Sequence, residues 1–243
     1  MIRYIALVSA AALSAVLTLF PGGSTNAAGS PLRTYRVTIE NTTHGQPFSP
    51  GVAATHRPNT NVFQVGELAS AGIEAIAESG NEAPALAMLN ASPGFTEVFD
   101  INRPITPDGV TIGDFTDSLT FEITARPGDR LSLALMLICT NDGFTGLDSA
   151  RLPARGSVSF DINGYDSGTE RDTEMSEDIV DPCSGLGPVP LAGDPNGNDD
   201  ASVDMHPHAA IAHHPGVTGV GDLSEMAHGW DGPVAIVTVE RVD

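Results

Sequence analysis

Asn141, Asp142 and Asp148 fall within the run Thr140-Asn141-Asp142-Gly143-Phe144-Thr145-Gly146-Leu147-Asp148-Ser149, directly after the apolar segment Met136-Leu137-Ile138-Cys139. Carboxylates, a side-chain amide and turn-permitting glycines in one stretch offer every kind of oxygen that a hard cation takes. Calcium uses about six to eight of them, at roughly 2.3–2.6 Å. The same composition also suits a plain Asx turn, with Asp142 accepting from its own backbone. The residues of this stretch leave both open. A second acidic run, Tyr165-Asp166-Ser167-Gly168-Thr169-Glu170, continues to Asp172 and Glu174 and also follows an alternating segment. Asp166 would share an ion with Asp142 if the two strand ends lie side by side.

Other chemistry is thinly represented. Asp194 to Asp200 has the Asp-x-Asn-x-Asn spacing of a calcium loop. It has Asp199 where an EF-hand needs Gly and Met205 where it needs Glu, so a solvated acidic loop is expected there. His206, His208, His213 and His214 match no helical metal-binding pair, and Pro207 separates the first two. There is no strand–GxSxG–helix elbow, no HExxH and no phosphate loop with Lys, so no enzyme is expected. The nearest catalytic alternative pairs Asp142 with Asp166 for glycoside hydrolysis, which needs carboxylates about 5–9.5 Å apart.

Residues 1–28 have the order of an export signal. Arg3 precedes an uncharged, mostly apolar run from Tyr4 to Phe20, and small residues follow from Gly22 to Ala28. That run is shorter than the roughly 20 residues of a spanning helix. No later segment is apolar enough to span a bilayer. A mature chain of about 215 residues, 29–243, fits one all-β domain and is expected outside the cytoplasm, in the periplasm, at the cell surface or secreted. In that setting Cys139 and Cys183, the two cysteines present, read as one disulfide; ligation of a metal by the two thiols is the alternative.

The formal charge is −20, and all 11 basic residues are Arg. Such a chain is a poor partner for nucleic acid or anionic membrane, which need a cationic face. It suits cations, a salty medium or simple solubility.

The elements that must position these residues are mostly strands. Tyr35, Val37 and Ile39 alternate with Arg36, Thr38 and Glu40; Leu119, Phe121 and Ile123 alternate likewise, as do Val158, Phe160 and Ile162. Residues 130–138 are apolar on both faces, as in a central strand, and Arg126-Pro127-Gly128-Asp129 turns the chain into them. A closing strand runs from Val234 to Arg241. Residues 67–78 read as one short helix, and 41–50 as a loop with Gly45, Pro47 and Pro50 as breakers. Residues 166–232 are mostly loop, and a loop of that length is usually functional or held by a staple or an ion. The fold expected is an all-β antiparallel sandwich with one short helix and long loops at one end.

Six stretches in order resemble the spondin N-terminal domain family in its bacterial form. They are YRVTIENTTHGQPFSPGVAATH (35–56), FQVGELASAGIEAIAESG (63–80), MLICTNDGFTGLDSARLP (136–153), YDSGTE (165–170), HPGVTGVGDL (214–223) and WDGPVAIVTVERV (230–242). The resemblance implies an antiparallel sandwich that binds calcium in loops at one end. In animals such domains serve cell adhesion, so a protein or glycan partner at the cell surface is expected. It implies Asp142 as the first calcium ligand and Asp166 as the second, with Glu122 and Asp148 as looser matches. Gly143-Phe144 stands where animal members place an aromatic directly after the first Asp, so the loop geometry is expected to differ. A polysaccharide-binding or matrix-packing role is the alternative. Trp230, the lone Trp, is expected to pack at the edge of the core rather than to stack on a sugar.

Overall fold

The computed structural model describes residues 31–187 and 203–243. The export signal expected at 1–28 and the acidic loop at 194–200 lie outside the described residues. In chain order the strands are β1 (Arg33–Asn41), β2 (Phe48–His56), β3 (Phe95–Ile101), β4 (Ser118–Ala125), β5 (Arg130–Leu137), β6 (Gly143–Arg151), β7 (Ser157–Ile162), β8 (Gly164–Asp166), β9 (Ala212–His213) and β10 (Ala235–Arg241). The helices are α1 (Ala71–Ser79), α2 (Ala83–Ala91), α3 (Pro182–Leu186) and α4 (Glu225–His228). Four strands form one sheet in the order β4-β1-β10-β7, and six form the other in the order β3-β2-β5-β6-β8-β9. Every pairing is antiparallel.

The alternating runs decide which faces meet. Tyr35, Val37 and Ile39 of β1, Phe121 and Ile123 of β4, and Val237 and Val239 of β10 point into the sandwich. There they meet Leu131, Leu133, Leu135 and Leu137 of β5. Each such leucine, fully buried, contributes about 1.5–3 kcal/mol. The opposite face of β5, with Ala134 and Met136, is covered by Ile73, Ile76 and Ala77 of α1. The six-stranded sheet is therefore buried on both faces at its centre, which is why β5 reads as a continuous apolar run.

Three elements depart from the expectation. β2 runs through the Pro50-Gly51 pair, and its register with β5 shifts between Phe48 and Gly51, so the breakers sit at a bulge. Residues 143–149 continue as strand β6 instead of looping. Gly146 is needed there because a Cβ would press into the Leu133 carbonyl of β5. α1 is followed at once by α2, whose sequence APALAMLNA is apolar nearly all round and so carries little helical periodicity. α1 itself is capped as its sequence suggests, by Ser70 accepting from Ile73 N–H and by Gly80 in the left-handed region.

Cys139 and Cys183 form a disulfide, both fully buried. It ties the segment after β5 to α3. Beside it the buried Gln46 side chain accepts from Cys139 N–H and donates to the carbonyls of Cys139 and His228. One amide thus satisfies three backbone groups that burial would otherwise leave costly. No helix among the described residues is long and apolar enough to cross a membrane.

Candidate metal centre

β5 ends at Leu137, and the chain turns through Thr140-Asn141-Asp142 into β6. Thr140 shapes this turn: its hydroxyl donates to the Leu137 carbonyl and accepts from Gly143 N–H. Antiparallel pairing of β6 with β8 then sets Gly143 opposite Asp166. The register alone places Asp142 and Asp166 at one end of the sheet.

Asp142 is fully buried. Its Oδ2 accepts from Ser167 Oγ at 2.9 Å, Thr169 N–H at 2.8 Å and Glu170 N–H at 2.9 Å. The Thr169 hydroxyl lies at 3.3 Å, and the Asp142 carbonyl takes Ser167 N–H at 3.2 Å. Gly168 makes this wrap possible. Its φ is +72°, and a Cβ there would meet the Ala209 carbonyl at 2.6 Å. The other oxygen, Oδ1, is buried without a hydrogen-bond partner. One oxygen of each of Asp142, Asp166 and Asp172 lies within 4.8 Å of the other two. Asp142 forms the floor, Asp166 is half-buried, and Asp172 stands at the rim with 35% of its side chain exposed.

Three carboxylates this close repel one another. Burial, with Asp142 and Asp172 nearby, pushes Asp166 up to about 6. Burial, with Asp142 and Glu174 nearby, does the same to Asp172. From the helical side, Glu78 of α1 is pushed up to about 7 by burial, and Glu170 to about 10 by burial and Glu78. The donor set fits a hard cation. It is all oxygen, it concentrates negative charge, and it presents one buried oxygen that the protein leaves unbonded. Asp142, Asp166 and Asp172 would hold the ion.

His214 closes the side of this group. Its Nδ1 accepts from Gly216 N–H at 3.0 Å, so the neutral ring carries its proton on Nε2, 3.9 Å from Asp172 Oδ1. Burial holds His214 below the ordinary imidazole range. At that distance Nε2 makes no hydrogen bond, and as the protonated nitrogen of the neutral ring it does not ligate a cation.

The structure separates the other expected ligands from this group. Glu122 lies on β4 in the opposite sheet, pointing to solvent, and pairs with Arg36 at 3.4 Å. The alternation that buries Phe121 and Ile123 compels this. Asp148 is exposed on β6, six residues beyond Asp142 and so carried about 20 Å along the strand. Asn141 and Glu174, close in sequence, serve the scaffold. Asn141 accepts from Glu174 N–H, and the Glu174 carboxylate accepts from the backbones of Thr218 and Val220. His206 and His208 stack on each other, and His213 lies against Tyr165; among the described residues these rings join no cluster of three ligating groups. Asp172 belongs to the acidic run noted in the sequence, but only the fold of residues 166–174 singles it out. Glu78, a buried carboxylate on α1, had no sequence signal.

The raised carboxylates give the metal-free protein a signed pH dependence. Asp166, Asp172 and Glu78 bind protons more tightly folded than unfolded. The stability they confer is full below the unfolded values near 4, and it is lost as pH rises through about 6 to 7. In metal-stripped buffer the melting temperature should rise as pH falls from 8 to about 6.5, which thermal melts by circular dichroism would read; below that, His56, His214 and His228, held under the ordinary imidazole range by burial, oppose the trend. With calcium saturating, that trend should weaken or reverse, because protons and the ion compete for the same oxygens.

A search among curated proteins returns no match. The Spondin_N family model matches residues 38–181, a span running from β1 through Asp181 and containing all three converging aspartates. The stretches at 214–223 and 230–242 fall beyond the matched range. With more than half its length matched, and the two-sheet antiparallel architecture in place, the chain belongs to the Spondin_N family.

Proposed function

We propose that this chain is an exported binding module whose loop end is ordered by calcium held between Asp142, Asp166 and Asp172. Family membership and the disulfide point to an extracellular or secreted protein in general terms. The observation that carries the calcium reading is the buried, unpartnered Oδ1 of Asp142, a residue whose carboxylate converges with two others. The ion would fasten the 166–174 loop to the end of β5, and the ordered loops would present a surface to a protein or glycan at the cell surface. Binding is favoured over catalysis because Asp142 is clamped through Oδ2 by three donors, an arrangement that supports an ion and leaves no mobile base. Calorimetric titration of the metal-free chain with calcium should give one binding event, absent from Asp142→Ala. No heat and no thermal shift in the unmutated protein would refute the calcium reading.

A polysaccharide-binding or matrix-packing role draws on one observation. Trp230 packs against both layers of the core, yet it also lines an open cleft of about 510 Å³ with Glu225 and Asp231. A glycan array on the calcium-loaded protein separates this reading from protein adhesion.

A further inference from the structure

Six arginines mark strand ends in this sandwich. Arg33 opens β1, Arg57 follows β2, Arg126 follows β4, Arg130 opens β5, Arg151 closes β6 and Arg241 closes β10. Antiparallel pairing puts all of these strand ends together, at the end of the sandwich opposite Asp142. In a chain with 31 acidic residues and 11 arginines, random placement would surround each arginine with carboxylates. Arg36 and Arg241 do have such partners. Arg33, Arg130 and Arg151 do not: among the described residues their guanidinium groups make no hydrogen bond and no ion pair.

These three line one cleft of about 400 Å³ with Tyr35, Gly128 and Asp129. Its one carboxylate, Asp129, is buried and turned into the β4–β5 hairpin, where it accepts from Thr96 Oγ1 and Arg126 N–H. Arg130 and Arg151 stand directly opposite each other across the β5–β6 ladder. Like charges in that position destabilise a sheet unless something neutralises them. Arg241 fixes the far wall by donating to the Ala154 carbonyl at 2.6 Å.

We infer that this arginine-lined cleft is an anion site for a multiply charged oxyanion, a phosphate or sulfate group. Three guanidinium groups match a dianion better than a single carboxylate, and their planar forks suit its oxygens. The site is at the far end from the aspartates and does not depend on calcium. The test is thermal unfolding of the purified chain in sodium phosphate or sodium sulfate against sodium chloride at matched ionic strength. Either anion, about tenfold above its dissociation constant, should raise the melting temperature by about 3–5 °C over chloride. A response to phosphate alone marks a phosphoryl ligand, and to sulfate alone a sulfate ester. Arg130→Gln/Arg151→Gln should abolish the shift and, in chloride, melt no lower than the parent. Arg103→Gln, which alters an arginine stacked on Phe115 elsewhere, should keep the full shift. Equal melting in all three salts, or a shift that survives in the double variant, would overturn the inference. So would concentration-dependent self-association lost in the double variant with no response to either anion, since the acidic end of a second copy would then be the occupant.

Discussion

Asp142→Asn should fold as stably as the parent in metal-free buffer yet lose its thermal response to calcium, whereas Asp142→Ala should lose both stability and response. The two oxygens of Asp142 do different work. Oδ2 is saturated by Ser167, Thr169 and Glu170, and Oδ1 is buried without a partner in a carboxylate that converges with Asp166 and Asp172. Asparagine can keep its carbonyl oxygen on the three donors. Its amide nitrogen then occupies the Oδ1 position, and the substitution removes one of three mutually repelling charges. A nitrogen bearing two hydrogens cannot ligate a cation. Alanine instead strands three buried donors, at about 1–3 kcal/mol each. For a domain of this size, a loss near 4 kcal/mol lowers the melting temperature by about 10 °C. Melting curves of the three proteins with and without calcium check this. A calcium response retained by the asparagine variant would show that the ion sits elsewhere.

Removing the disulfide should have a comparable effect on stability and a separate one on the ion. Cys139 and Cys183 enclose a sequence separation of 44, for which restriction of the unfolded chain is worth about 4 kcal/mol. Both cysteines are fully buried, so alanine is the fitting replacement and a serine hydroxyl is not. Cys139→Ala/Cys183→Ala should therefore melt about 8–16 °C lower. The enclosed segment also contains Asp142, Asp166 and Asp172. Once the bridge is gone, part of the binding free energy must order that segment, so calcium affinity should fall even though no ligand has changed. Unaltered affinity in the double variant would mean that the hydrogen bonds from residues 167–170 to Asp142 organise the site unaided.

Much of the sandwich could be read before its structure was known, because a half-buried strand writes its own orientation. Tyr35-Val37-Ile39, Leu119-Phe121-Ile123 and the two-faced run of β5 lie where their periodicity puts them. β2 escaped notice because its Pro and Gly sit at a register shift, and α2 because an almost wholly apolar helix has no polar face to betray its period. The site was legible in part. Two acidic runs, each following a strand, do not meet through those strands, since β5 and β7 lie in different sheets; they meet because the runs themselves lead into the paired strands β6 and β8. Asp172 depends on how a nonperiodic loop folds back, which local pattern does not encode. Glu122 lies apart from the three aspartates for a different reason. The alternation of β4, which buries Phe121 and Ile123, puts it on the solvent face of the opposite sheet.

The most direct test is a crystal structure of the mature chain grown in calcium, with the ion located by its anomalous scattering. The account predicts one ion bonded to Asp142 Oδ1 and to carboxylate oxygens of Asp166 and Asp172, each at about 2.3–2.6 Å, with water completing the shell on the Asp172 side. A well-ordered map with no ion among these three aspartates, or with calcium bound only at another loop, would contradict it.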